Sequence, residues 1–121
     1  MKIRIQGNSL RLRLSQQEVI TFVQNGMVQS ECQFINGSLI YSIHRKNIET
    51  ITASLDNHEI KISIPSILIE NWDVDDRVGF DATDTNGLYI LIEKDFQCLK
   101  PRLQQDESDL FPNPNAHQEY C

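Results

Sequence analysis

The first fourteen residues alternate apolar and cationic side chains on either side of a Gly7-Asn8 pair. Alternation with a period of two is typical of a β-strand that buries one face. A Gly-Asn loop suits a type II′ turn, which needs glycine at its first central position. The pattern therefore predicts a β-hairpin that pairs residues 2–6 with residues 9–14.

One face of this hairpin is predicted to be strongly basic. A two-residue loop sets Arg4 opposite Arg11 and Lys2 opposite Arg13. Like charges directly opposed on a sheet are unfavourable, so the face needs counterions or free solvation. Arginine offers a planar fork that suits phosphate or carboxylate, and lysine offers a point charge. We call these four residues the basic face and take them as candidate anion-binding residues: Lys2, Arg4, Arg11 and Arg13.

The rest of the chain contains a possible source of counterions. No acidic residue precedes Glu18, and the residues after the basic hairpin carry seven of the eleven cations and all seventeen acids, a net charge of −10. The C-terminal part includes Asp106, Glu107 and Asp109. We expect these three carboxylates to dock on the basic face, and the alternative is that solvent covers it.

Charge and composition exclude several classes of protein. The net charge of −6 argues against a protein that coats nucleic acid, which needs a broad basic surface. No apolar run approaches the ~18 residues of a membrane span, and no separate apolar signal region is present. Three widely spaced cysteines do not form a disulfide framework and fit a reducing compartment. We therefore expect a cytoplasmic protein that has no membrane contact and does not bind nucleic acid.

A helix is predicted directly after the basic hairpin. Ser15 and Glu18 have the spacing of a capping box, in which each side chain bonds the other residue's backbone N–H. The apolar residues that follow have helical spacing, and Gly26 is a natural stop. The predicted helix spans about residues 16–25.

Three further hairpins are predicted from turn residues flanked by alternating patterns. Their turns lie at Asn36-Gly37, at Asn57-His58 and in a three-residue loop with Gly87 left-handed. The expected cross-strand pairs are Phe34 with Leu39, Cys32 with Tyr41, Leu55 with Ile60, Ala53 with Ile62, Phe80 with Ile92 and Ala82 with Ile90.

The fold class predicted from these elements is mainly β (α+β). About eight antiparallel strands build a barrel or a roll from hairpins, with one helix after strand two. The sequence leaves barrel and roll as alternatives. Residues 1–94 are predicted to form the β domain, and residues 95–121 an acidic, proline-containing tail packed partly on it.

One group of residues has spacing that zinc ligands accept: Cys98, His117 and Cys121. No CxxC pair accompanies them, so no cofactor is expected and zinc remains an alternative. The sequence has no glycine-rich phosphate loop and no nucleophile elbow. It therefore nominates no catalytic residue.

The two ends of the chain resemble a bacterial family of small uncharacterised proteins. The resemblance rests on the start KIRIQGNSLRLRL and on the end EKDFQCLKPR followed by FPNP. It implies no activity. We therefore expect a small non-catalytic binding or interaction module for an unknown protein partner or a small anionic ligand. The alternative is an enzyme or regulator that binds a phosphorylated or other anionic ligand through the basic face, and the oligomeric state stays open.

Overall fold

The computed structural model describes residues 1–96 and 109–112. Within these ranges the chain forms eight strands and two helices. Their bounds in chain order are β1 Lys2–Ile5, β2 Ser9–Leu14, α1 Gln16–Asn25, β3 Met27–Phe34, β4 Gly37–Lys46, β5 Thr52–Asp56, β6 Glu59–Pro65, α2 Ser66–Ile69, β7 Gly79–Thr83 and β8 Tyr89–Lys94.

Each of two four-stranded sheets joins two hairpins through their inner strands. Sheet A has the strand order β1-β2-β8-β7, and sheet B has the order β3-β4-β6-β5. The strands within each hairpin are antiparallel. The inner pairs, β2 with β8 and β4 with β6, are parallel. Both sheets are therefore mixed and open.

The predicted arrangement, an all-antiparallel barrel or roll, is wrong, because the inner strands pair in parallel and neither sheet closes into a barrel. Turn residues and period-two patterns determine pairing inside a hairpin, because its strands are adjacent in the chain. Pairing between hairpins joins distant segments, as where Ser9 lies opposite Tyr89, and it depends on how both sheets cover the core. The mainly β class and the eight strands are confirmed.

The hairpin registers follow the sequence pattern with one exception. The predicted pairs in the first, third and fourth hairpins are present. In the second hairpin the turn residues are Ile35 and Asn36, so Phe34 lies opposite Gly37 instead of Leu39, and Cys32 opposite Leu39 instead of Tyr41. Because the error equals two residues, every side chain still lies on its predicted face.

Helix α1 begins and ends where the sequence predicts. The Ser15 hydroxyl accepts from the Glu18 N–H, and the Glu18 carboxylate accepts from the Ser15 N–H, which completes the capping box. Gly26 closes the helix at φ +80°, a left-handed conformation that glycine adopts without strain. The N-terminal ammonium group also pairs with Glu18. The helix is thereby fixed at the end of β2.

A single apolar core lies between the two sheets and α1. Sheet A contributes Leu12 and Ile92, sheet B contributes Ile43 and Ile62, and α1 contributes Phe22, all with no solvent exposure. Burying each of these side chains stabilises the fold by about 2 kcal/mol relative to exposure. The outer faces of the sheets are therefore the surfaces on which a functional site can lie.

The described C-terminal segment, Asp109–Pro112, packs at the end of β8. The Phe111 N–H donates to the Asp95 carbonyl at 2.8 Å, and the Gln16 N–H donates to the Asp109 carbonyl at 3.0 Å. Leu110 is 8% exposed. Backbone hydrogen bonds and apolar burial therefore hold this segment on the domain. The predicted boundary at residue 94, between the β domain and the tail, stays a prediction.

Candidate functional site

The four predicted anion-binding cations lie together on the outer face of sheet A. The hairpin of β1 and β2 sets Arg4 opposite Arg11 and Lys2 opposite Arg13, as the sequence predicts. Strand β8 lies beside β2 in parallel and sets Glu93 opposite Arg13. The basic face therefore continues onto β8, which carries a carboxylate on the same side.

Glu93 forms ion pairs with both arginines of β2. Its Oε1 accepts from the Nε of Arg11 at 2.7 Å and from the Nε of Arg13 at 3.0 Å. The Arg11 terminal nitrogen Nη2 also lies 2.6 Å from this oxygen. The Glu93 side chain is 13% exposed, so the shared carboxylate is largely shielded from water. The shared carboxylate offsets part of the repulsion between the two arginines and leaves the three groups with one net positive charge.

Lys2 has a separate counterion, Asp95, which lies directly after β8. The Lys2 ammonium is 2.8 Å from Asp95 Oδ2, and the Asp95 side chain is 8% exposed. Among the described residues Asp109 forms no ion pair with the basic face. The expected docking of the other two acids, Asp106 and Glu107, lies outside the described ranges. The carboxylates seen on this face therefore come from β8 and its end.

Arg4 differs from the other three cations. Its side chain is exposed and forms no ion pair with any residue in ranges 1–96 and 109–112. It borders a shallow pocket of ≈ 170 Å³ whose lining includes Ser9, Arg11, Tyr89 and Leu91. Among the described residues, no carboxylate lies in the lining of this pocket.

Tyr89 lines this pocket, and its hydroxyl is directed to β7, on the far side of β8 from Arg4. The hydroxyl donates to Asp81 Oδ2 at 2.8 Å. This hydrogen bond, with smaller contributions from desolvation and nearby carboxylates, raises the pKa of Tyr89 above its usual value of 10.0. The phenol therefore stays protonated at neutral pH and acts as a hydrogen-bonding group and an apolar wall.

Sequence reasoning missed Glu93, Asp95 and Tyr89 as members of this surface. The alternation of β8 places Tyr89, Leu91 and Glu93 on one face, which is a signal available in the sequence. What the sequence did not reveal is that β8 lies next to β2. Without that pairing, no pattern connects Glu93 with Arg11 or Arg13.

The candidate zinc ligands Cys98, His117 and Cys121 lie outside the described residues. In the part of the chain that the structure describes, no group of three or more His, Cys, Asp or Glu side chains is placed to hold a metal ion. Cys32, the cysteine within these ranges, is an exposed free thiol on β3.

A second polar cluster lies on the outer face of sheet B. The Ser42 hydroxyl donates to Glu59 Oε2 at 2.7 Å, and His44 Nε2 lies 3.0 Å from Ser42 Oγ. Because the serine proton points to Glu59, His44 must donate its Nε2 proton to Ser42. Burial and the nearby Lys61 and Lys46 lower the pKa of His44, an effect that Glu59 partly offsets.

This Ser-His-Glu cluster is not arranged for nucleophilic catalysis. A serine nucleophile gives its proton to histidine, whereas Ser42 gives its proton to Glu59. Ser42 also has no solvent exposure, so its oxygen is closed to a substrate. The cluster satisfies the hydrogen-bonding groups of three neighbouring side chains.

Comparisons with other proteins place the chain by its family alone. None of the helices in the described ranges is long and apolar enough to cross a membrane. No curated protein and no solved structure matches the sequence. A family model does match, over residues 1–115, which is nearly the whole chain. The protein therefore belongs to DUF7009, a family of unknown function.

Proposed function

We propose that this protein is a non-catalytic binding module of the bacterial cytoplasm. Its outer sheet A face takes an anionic group, a phosphate or carboxylate carried by a small ligand or by a partner protein. The observation that supports this most directly is Arg4, which is exposed and has no ion pair among the described residues.

The geometry around Arg4 fits one anionic group. Arg4 lies directly opposite Arg11, and both side chains line the same pocket. The pocket volume of ≈ 170 Å³ lies below the ~300–1,000 Å³ that is usual for sites enclosing a drug-sized ligand. An anionic group therefore fits beside the guanidinium, with the rest of its carrier outside the pocket.

The local charge also favours an anion. Among the described residues, the four cations of the basic face have two carboxylate partners, Glu93 and Asp95. These six groups carry an excess of positive charge on a chain whose net charge is −6. A localised basic site on an acidic protein attracts anions while the remaining surface repels long polyanions such as nucleic acid.

The runner-up, an enzyme or regulator acting on a phosphorylated ligand, shares this anion site. It needs in addition a base or nucleophile beside Arg4. Among the described residues that line the pocket, Tyr89 is the one with a titratable hydroxyl, which donates to Asp81 and whose raised pKa makes it a poor base at neutral pH. Binding without catalysis is therefore the function that this geometry supports better.

Thermal denaturation with inorganic phosphate tests the site. We expect millimolar phosphate to raise the Tm of the wild type above its value in potassium chloride of equal ionic strength, because a ligand that binds only the folded state stabilises it. The increase should vanish in Arg4→Gln. The matched control is Lys46→Gln, which removes the same charge from an exposed position on sheet B and should leave the increase intact.

Two results contradict the proposal. One is a wild-type Tm that is equal in phosphate and chloride. The other is a phosphate effect that Arg4→Gln and Lys46→Gln reduce equally, since this indicates a response to overall charge.

A further inference from the structure

The hairpin of β3 and β4 projects beyond its neighbour in sheet B. Strand β4 begins at Gly37, but its pairing with β6 begins at Ile40, which lies opposite Glu59. Along Gly37–Leu39 the strand pairs with β3 on one side, and no other described strand pairs with it on the other. We call this gap, bounded by Gly37–Leu39 and by the Asn57-His58 turn, the notch.

The backbone of Ser38 faces into the notch. In a β-strand, successive residues direct their N–H and C=O groups to opposite sides. The Ile40 N–H donates to the His58 carbonyl at 3.0 Å, on the β6 side. Ser38 is two residues earlier, so its N–H and C=O point to the same side. The notch therefore presents a donor and an acceptor in the manner of a sheet edge.

The side chains of the notch form a small apolar pocket. It has a volume of ≈ 240 Å³, and its lining includes Phe34, Leu39 and His58. Phe34 is 60% exposed, which is unusual for so large an apolar side chain on a strand. The volume is smaller than that of typical small-molecule sites and suits one or two side chains of an extended peptide.

The opposite face of sheet B is acidic at this end. One row of residues across the sheet contains Glu31 on β3, Ile40 on β4, Glu59 on β6 and Asp56 on β5, each opposite the next. Three carboxylates therefore lie on one face at this level. Lys61 lies on this face as well, but opposite Ser42 and two residues farther from the notch, on the side where the Glu59 carboxylate accepts from the Ser42 hydroxyl. A strand placed in the notch would therefore point alternate side chains toward the Phe34 pocket and toward an acidic surface on which Glu31 and Asp56 form no ion pair with a described residue.

We propose that the notch binds an extended segment of a partner protein as an added β-strand beside Gly37–Leu39, and that this segment alternates apolar with lysine or arginine residues. Hydrogen bonds to Ser38 supply register, and the pocket holds an apolar side chain. The acidic face selects cations at the alternate positions. This site lies on sheet B and is independent of the anion site around Arg4.

A labelled synthetic peptide provides a direct test. The probe is a seven-residue peptide of alternating valine and lysine with a fluorescein at its N-terminus, titrated with the full-length protein and followed by fluorescence anisotropy. We expect saturable binding, and we expect a valine–glutamate peptide of equal length to bind at least about tenfold more weakly. Absence of saturable binding by the valine–lysine peptide overturns the proposal.

Two proline variants distinguish peptide binding at the notch from peptide binding at the outer edge of β3. Ser38 and Gln33 lie opposite each other, and neither N–H is used between β3 and β4, because both point away from the hairpin. Ser38→Pro removes the donor in the notch, and Gln33→Pro removes a donor at the outer edge. We expect Ser38→Pro to weaken peptide binding about tenfold, which corresponds to the loss of one hydrogen bond, and we expect Gln33→Pro to leave it unchanged.

Other outcomes contradict the proposal that the notch binds the peptide. A loss caused by Gln33→Pro alone assigns binding to the outer edge, and equal affinities in all three proteins indicate general attraction to an acidic chain. Dimerisation of the wild type that Ser38→Pro abolishes assigns the notch to a second copy. If circular dichroism shows that Ser38→Pro is unfolded, Phe34→Ala replaces it, because truncating an exposed side chain spares the core: weaker binding supports the proposal, and unchanged binding overturns it.

Discussion

Arg4 and Arg11 lie directly opposite each other on β1 and β2, and Arg11 pairs with Glu93 while Arg4 has no carboxylate partner among the described residues. The strand order and the register of sheet A together explain this difference. At the level of Arg4 and Arg11, β8 carries Leu91, and the acids Glu93 and Asp95 follow two and four residues later, near Lys2 and Arg13. Arg11, on the strand next to β8, reaches Glu93, whereas Arg4, one strand farther away, pairs with neither acid.

Replacing Glu93 should destabilise the fold by leaving two arginines without their shared carboxylate. We expect Glu93→Gln to lower the free energy of unfolding by about 1 kcal/mol, with a larger loss at low ionic strength. Urea denaturation at two salt concentrations measures both effects. The control is Glu49→Gln, the same substitution at an exposed position that forms no ion pair with a described residue, for which we expect a change within about 0.5 kcal/mol. Equal losses in the two variants contradict the role of Glu93.

Replacing Arg4 should have the opposite effect and raise the free energy of unfolding. Arg4→Gln removes a like-charge contact with Arg11 and breaks no ion pair within the described residues, so we expect a gain of a few tenths of a kcal/mol at low salt that disappears at high salt. Lys2→Gln is the matched comparison, because it breaks the ion pair with Asp95 and should lower stability. A loss of stability in Arg4→Gln shows that Arg4 has an intramolecular partner and speaks against an open anion site.

The pH dependence of stability should report the burial of His44. Its pKa in the folded protein is lowered from about 6.5, so the unfolded chain binds a proton more readily. The contribution is therefore fully present above pH ~6.5 and is lost as the pH falls from there through the folded-state pKa. We expect the free energy of unfolding to fall less between pH 7.5 and pH 5.5 in His44→Gln than in the wild type. The control His58→Gln changes an exposed turn residue, and a matching change in its pH profile contradicts this assignment.

The sequence predicts those parts of this fold and of this site that depend on residues close together in the chain. The capping box with its helix and three of the four hairpin registers follow from turn residues and periodicity. The parallel pairing of β2 with β8 does not, because it joins segments at opposite ends of the chain. The sequence therefore placed the four cations on one face correctly, but it did not show that the Glu93 carboxylate pairs with two of them.

Gly79 shows a packing requirement beneath the basic face that no sequence pattern reveals. It lies opposite Glu93, and a Cβ at this position would overlap the Ile92 carbonyl oxygen and lie 2.7 Å from the Glu93 Cα. Both neighbours are backbone atoms, so Gly79→Ala must displace β8. We expect a loss of about 3 kcal/mol, measured by urea denaturation. Gly7→Ala is the control: its Cβ meets no atom within 4 Å, and the left-handed φ of +53° costs about 1 kcal/mol. Similar losses in both variants rule out the close approach.

Replacing Leu110 should show whether the C-terminal segment is held on the domain by apolar contacts or by the docking of acidic residues that the sequence suggests. Its side chain is 8% exposed, and its backbone carbonyl accepts from the Gln16 side chain. We expect Leu110→Ala to lower the free energy of unfolding by about 2 kcal/mol or more, by the same amount at low and high salt, because the lost contacts are apolar. Ile35→Ala, at a fully exposed turn position, is the control and should change stability little. A loss that shrinks strongly with added salt favours attachment through the acidic residues instead, and urea denaturation at two ionic strengths decides between the two.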